Sequence, residues 1–286
     1  WSESTSRGRE MNGKVLHSLR LTAKLYLLDY GAGNIQSLAN SLTKLGYTYE
    51  WVREPSDISK ADKLLFPGVG SFASAMDALH AKGYVEPLRA YIQSGKPLMG
   101  ICVGMQVLFE GSDESPGVQG LGIVPARVGR FATQDAFGRK AVPHMGWSLA
   151  NVVEWDGCAD QRHELAKSYG MHDANPSHYY FVHSYRVAWD ANVAEWALTT
   201  TQYGNEIFVS SIQHANVFAT QFHPEKSGQA GLDLLAAWLQ LEHVEPTTRV
   251  GRPVSSTEHM PTRRIVASMD VRSNDACNMV VTQDQS

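Results

Sequence analysis

From residue 24 the chain alternates short apolar runs with segments whose apolar residues recur every three or four positions. Lys24–Asp29 reads as a short buried strand. Ile35, Leu38, Leu42 and Leu45 then keep helical spacing, and Gly46 closes that helix. Tyr47–Val52 and Lys63–Phe66 read as the next strands, the latter ending at Pro67-Gly68. Helices are predicted over Phe72–His80 and Tyr84–Gln93, a strand over Pro97–Ile101 and a helix over Val103–Glu110. Such alternation predicts an α/β fold, a mostly parallel twisted sheet with helices on both faces.

After Gly120 the texture changes. Leu121–Phe131, Trp147–Val153, Tyr179–His183, Tyr185–Ala188, Ala194–Thr200, Ile207–Gln213 and Val217–Gln221 are short, β-rich and separated by turn residues. They predict antiparallel strands added to the sheet. Gly228–Leu241 closes the domain as an amphipathic helix with Leu232, Leu235, Trp238 and Leu239 on one face. Residues 24–242 therefore read as one domain. Residues 1–23 are polar and read as a disordered or targeting extension. Residues 243–262, with Pro246, Gly251, Pro253 and Pro261 and no periodicity, read as a linker. A new strand is predicted at Arg264–Val271.

Composition narrows the function classes. A formal net charge of −4 offers no electrostatic footprint for nucleic acid. No apolar run approaches the length of a membrane-spanning helix. Three cysteines, Cys102, Cys158 and Cys277, are too few and too scattered for a disulfide framework. No Cys/His cluster has metal-ligand spacing, so neither a metal nor another cofactor is expected. Gly31-Ala32-Gly33-Asn34-Ile35-Gln36-Ser37 follows a strand and opens a helix, but Ser37 stands where a dinucleotide fingerprint needs its third glycine.

Cys102 carries the strongest chemical signal. It lies in Gly100-Ile101-Cys102-Val103-Gly104, between a strand and a helix, which is the nucleophile-elbow pattern with a thiol in place of a hydroxyl. A buried cysteine is ordinarily a small hydrophobe; the glycine frame and the helix onset point instead to a nucleophile. His223, in His223-Pro224-Glu225, is placed to be its base, and Glu225 to accept the other ring N–H. The chain has 11 histidines, so composition does not choose among them. His144 and His183 are the competitors and read as structural or interface residues. Gly68-Val69-Gly70 is the candidate oxyanion loop, together with the Val103 N–H, although the same glycines serve a tight turn equally well.

Several stretches resemble the class I glutamine amidotransferases, the Cys-His-Glu glutaminases. The narrower likeness is to the glutaminase part of the imidazole glycerol phosphate synthases, in their fused eukaryotic form. It rests on Leu28-Asp29-Tyr30-Gly31-Ala32-Gly33-Asn34, Phe66-Pro67-Gly68-Val69-Gly70, Pro143-His144-Met145-Gly146-Trp147, His183-Ser184-Tyr185 and Gln221-Phe222-His223-Pro224-Glu225-Lys226. The resemblance implies a Cys102, His223, Glu225 triad that hydrolyses glutamine to glutamate and ammonia. It implies that Gln106, Glu114, Ser184 and Tyr185 hold the substrate. It makes residues 263–286 an incomplete start of a (β/α)₈ cyclase barrel, with Asp270 as a catalytic candidate on the cyclase side. The partner would be that barrel, in cis, which receives the ammonia and makes imidazole glycerol phosphate and an aminoimidazole carboxamide ribonucleotide in histidine biosynthesis. The fused form implies a plastid or a cytoplasmic location. Ser148, Ser268-Met269 and Gln283 depart from the pattern. The rival readings are a glutaminase of another amidotransferase pathway and a non-catalytic regulatory module with this fold.

Overall fold

The computed structural model describes residues 23–31, 35–136, 138–155, 159–171, 177–190 and 192–241, and short segments at 251–252, 270–273 and 279–282. For 154–155, 159–163 and the segments beyond 250, the description is of the backbone alone. The chain divides into two compact units, Trp1–Ser255 and Ser256–Ser286.

An 11-stranded sheet organises the first unit. Its main path runs Glu50–Val52, Leu25–Leu28, Lys63–Gly68, Leu98–Cys102, Val217–Thr220, Glu206–His214, Tyr185–Ala188, Val124–Arg130, Phe109–Ser112. The first five of these pair in parallel. From Val217–Thr220 through Val124–Arg130 the pairing turns antiparallel. This is the change of texture that the sequence shows after Gly120. Central strands such as Leu25–Leu28 and Leu98–Cys102 are buried along their whole length, as expected where helices cover both faces. Phe66, Phe72, Phe109, Phe181, Phe208, Phe218 and Phe222 fill the core, each stabilising the fold by roughly 1.5–3 kcal/mol.

Register places the chemistry. Gly68 pairs with Cys102 on one side of the central strand, and Thr220 pairs with Ile101 on the other. Gln221 therefore emerges beside Cys102, and His223 follows it. A second, two-stranded sheet pairs His144–Leu149 with His178–His183, setting His144 opposite His183.

Several elements differ from the sequence expectation. The helix after Cys102 ends at Gln106, and Phe109–Ser112 is an edge strand parallel to Val124–Arg130. Val107, Leu108 and Phe109 are all fully buried, so apolar periodicity does not distinguish helix from strand there. Leu121 N–H donates to Val107 O, and Ile123 and Val124 N–H both donate to Leu108 O, so the loop takes carbonyls that a longer helix would use. Pro55–Lys60 is a short helix opened by a Glu54/Asp57 capping box with proline in its first turn. Ala159–Ser168 is a polar helix whose residues carry little apolar pattern. In the second unit Asp270–Ser273 pairs antiparallel with Met279–Thr282; the rest of the predicted 264–271 strand, with Ser268-Met269, lies outside the described residues, as does Gln283.

The glycine frame is a packing requirement. A β-carbon at Gly104 would stand 1.9 Å from Phe66 O, and one at Gly68 would stand 2.3 Å from Gly104 N. Both obstacles are backbone and cannot rotate away. Gly104→Ala should therefore cost roughly 3 kcal/mol or more, the upper end for overpacking. Gly117→Ala, with open space around it, should stay within about 0.5 kcal/mol. Urea unfolding of the two variants checks the contrast, and equal midpoints would contradict it.

Candidate active site

Cys102 ends its strand with φ 55° and ψ −110°, a conformation that non-glycine residues rarely adopt. The sharp turn lifts the thiol off the sheet at the mouth of a pocket. Val69, Gly70, Val103, Gln106, Glu114, Ser184, Tyr185 and His223 line the same pocket. Lys226, Pro143 and Val182 line it as well. Gly68 lies behind the pocket wall, against the backbone of Val103 and Gly104. Asp270 belongs to the other unit.

His223 is held from both ends. Its Nδ1 lies 2.7 Å from Glu225 Oε1, and Cys102 is the other group that acts on the ring. Glu225 sits behind the histidine and does not line the pocket. The turn that carries them is tied to the Tyr180 backbone by a closed ring. His223 N–H donates to Tyr180 O at 2.9 Å, Tyr180 N–H to Ser227 Oγ at 3.0 Å, and Ser227 Oγ–H to His223 O at 2.6 Å. Burial opposes charge on His223, yet the Cys102 thiol and the Glu225 carboxylate together outweigh it and push the imidazole up to about 10. The site thus holds a protonated histidine between two acceptors.

A second pair of histidines has the opposite state. His144 and His183 are buried, with His144 Nδ1 3.4 Å from His183 Nε2. His183 Nδ1 lies 2.8 Å from Tyr185 O, and His144 Nε2 3.0 Å from Ser148 Oγ. A carbonyl only accepts, so His183 Nδ1 carries the proton, His183 Nε2 accepts from His144, and His144 accepts from the Ser148 hydroxyl. His144 stacks on Phe181 and on Tyr203. Burial, then nearby Lys140, lowers His144 to about 4. Burial, then His144, lowers His183 to about 3. Neither is suited to act as the base at neutral pH.

The candidate substrate-holding residues divide by their partners. Both amide protons of Gln106 are committed, to Tyr185 O at 3.1 Å and Gln221 Oε1 at 2.9 Å, which leaves its oxygen for a ligand. Glu114 Oε2 accepts from Phe72 N–H at 2.8 Å, so it also anchors the start of the Phe72–Ala81 helix. Sequence reasoning missed Gln221, whose amide reaches Cys102 Sγ at 3.7 Å. Its signal was its place two residues before His223, on the strand beside the nucleophile. Lys226 was also passed over, although it adjoins Glu225. Among the described residues no group of three His, Cys, Asp or Glu side chains could hold a metal ion. No helix among them is long and apolar enough to cross a membrane.

A thiol on a strained strand-to-helix turn, with a paired imidazole and carboxylate, is the machinery of an enzyme that forms a covalent acyl intermediate. Residues 26–239 match the family described as glutamine amidotransferase class-I, and the chain belongs to that family. Its relatives are more particular. It is 44% identical over 262 residues to the imidazole glycerol phosphate synthase hisHF of Emericella nidulans, an alignment that covers 91% of this chain and 45% of that protein. It is 41% identical over 215 residues to the imidazole glycerol phosphate synthase subunit HisH of Methanothermobacter thermautotrophicus, covering 75% of this chain and 97% of that one. The chain thus spans less than half the length of the fused relative and nearly all of the separate subunit. A crystal structure described as a glutamine amidotransferase shares the fold, with a TM-score of 0.52 at 19% identity, over 75% of this chain and 98% of that one.

The neutral histidine pair makes an acid-limb prediction. Between pH 6.5 and about 4 the unfolded chain binds protons at His144 and His183 that the folded chain refuses. Stability therefore falls as pH falls through that window, by up to about 1.4 kcal/mol per pH unit for each group. His144→Phe keeps an aromatic ring against Phe181 and removes one of the two sites. Its stability should decline less steeply between pH 6.5 and 4.5, measured by urea unfolding. A slope equal to that of the wild type would contradict the assignment.

Proposed function

We propose that this chain is the glutaminase of an imidazole glycerol phosphate synthase of the fused type, acting in histidine biosynthesis. The observation that carries the reading is that Cys102 and His223 line one pocket with Gln106, Ser184 and Tyr185, while Glu225 holds His223 from behind. Cys102 Sγ attacks the side-chain carboxamide carbon of glutamine. His223 passes its proton to the leaving nitrogen, ammonia departs, and a γ-glutamyl thioester remains. Water, deprotonated by His223, then attacks the thioester and releases glutamate. In this reading the Gly68-Val69-Gly70 loop and the Val103 N–H supply the oxyanion donors, each worth roughly 3–4 kcal/mol; in the structure the Val69 N–H is set toward the Tyr30 hydroxyl, so the loop turns that donor to the substrate when it acts.

Ammonia then passes to a cyclase barrel, whose incomplete start is the 263–286 segment, with Asp270 as a catalytic candidate on that side. Residues 24–242 form the glutaminase domain, 243–262 the linker and 1–23 an extension. The names of the relatives and their division into fused and separate forms support this partner. So does an exposed apolar pair, Met145 and Trp147, 62% and 50% accessible. The pair lies on the strand that pairs with the His183 strand beside the pocket, a placement suited to a covered face.

Incubation with a glutamine analogue bearing an electrophile should label Cys102, located by peptide mass spectrometry. Cys102→Ala should neither take up the label nor release glutamate. Labelling at another residue, or glutamate release by Cys102→Ala near the wild-type rate, sinks the reading; an unlabelled chain favours a non-catalytic module. His223→Asn should slow glutamate release by ~10²–10⁴, and Glu225→Gln by less, because the carboxylate orients the ring without taking its proton. Equal mild losses would mean that another group is the base.

A further inference from the structure

The mechanism above uses His223 to hold the thiolate and leaves the other side of the sulfur unexplained. Gln221 occupies that side. Its side chain is buried, its Nε2 lies 3.7 Å from Cys102 Sγ, and its Oε1 accepts from Gln106 at 2.9 Å. The Gln221 amide is the side-chain donor that reaches this sulfur, and His223 acts on Cys102 from the other side. Glu225 lies behind His223, Lys226 and Glu114 stand on the pocket wall, and Tyr30 lies beneath on the Gly68 side.

An amide placed the other way round would turn its oxygen on the sulfur and repel a thiolate. The orientation is decided by one atom, the carbonyl oxygen of Tyr185, which can only accept. Gln106 must therefore present Nε2 to Tyr185 O, at 3.1 Å. The same nitrogen faces Gln221, so Gln221 must answer with its oxygen, and its nitrogen is left for Sγ. The second lone pair of Tyr185 O takes the proton of His183 Nδ1, at 2.8 Å. Each donor along this buried path has one acceptor to meet, and it ends in an N–H aimed at the nucleophile.

We propose that Gln221 is a positioning residue for the nucleophile: its amide N–H holds the Cys102 sulfur as the thiolate and aims it. Its own orientation is imposed by the Tyr185 carbonyl through Gln106. The proposal rests on the glutaminase reading for its purpose, but its geometry does not involve glutamine.

The test is the pH dependence of Cys102 alkylation by iodoacetamide in the full 286-residue chain, followed at the Cys102 peptide by mass spectrometry. Gln221→Leu removes the donor and should move the alkylation midpoint up by about one pH unit, a tenfold smaller thiolate fraction below it. Gln221→Glu sets a carboxylate against the sulfur and should move it further. Gln106→Leu frees the Gln221 amide to rotate and should move it in the same direction by less. Circular dichroism identifies the variants that fold, and if Gln221→Leu does not fold, Gln106→Leu carries the decision. A midpoint that stays at the wild-type value in the folded variants overturns the proposal. Because the readout contains no glutamine, failure of the glutamine analogue to label Cys102 would reject the glutaminase reading separately.

Discussion

The carbonyl oxygen of Phe66 lies where the β-carbon of any residue but glycine at position 104 would stand. That contact lets the turn after Cys102 nest on the end of the Lys63–Gly68 strand, and the site is built around it. With the two backbones in contact, Cys102 takes its positive φ, its thiol leaves the sheet plane, and the Val69 and Gly70 segment lies alongside it. A wider separation would move the candidate oxyanion donors away from the sulfur. Strain at a single non-glycine residue costs of order 1–3 kcal/mol, an amount that the buried parallel sheet around it readily offsets.

On the opposite side of Cys102 the sheet register performs a similar service. Val217–Thr220 pairs with Leu98–Ile101 residue for residue, so the chain leaves the sheet at Gln221 beside the nucleophile. Two residues later His223 turns back over it. The Ser227 hydroxyl closes that turn onto Tyr180. Gly231 lets the last helix approach until a β-carbon there would be 1.8 Å from Pro224 O. His223 is thus placed by backbone contacts and one hydroxyl.

Two pairs of buried groups within one small region show how the same residue type is set to opposite charge. His223 has Cys102 and a carboxylate as partners, and together they outweigh its burial. His144 and His183 have each other, a carbonyl and a hydroxyl, none of which repays the desolvation of an imidazolium. The chemistry of the site depends on that difference. His183 lines the same pocket as His223, and a charged His183 would repel the imidazolium of His223.

Much of this was legible along the chain. Apolar periodicity located most strands and helices of residues 24–241, because a parallel sheet must bury continuous apolar runs and its helices must show one apolar face. The Gly-x-Cys-x-Gly frame and the His-Pro-Glu run were visible because the elbow and the base–carboxylate pair are local in sequence. The strand at Phe109–Ser112 was not, because the buried run Val107-Leu108-Phe109 that leads into it has no periodicity to read. Nor was the short helix at 55–60, whose signal is a capping box and not a hydrophobic stripe. The protonation states of the histidines and the part played by Gln221 were decided by tertiary structure alone. Gln221 meets Cys102 across 119 residues and Gln106 across 115, and His144 meets His183 across 39; these meetings and the burial of the rings come only with the assembled sheets, and no local pattern records them.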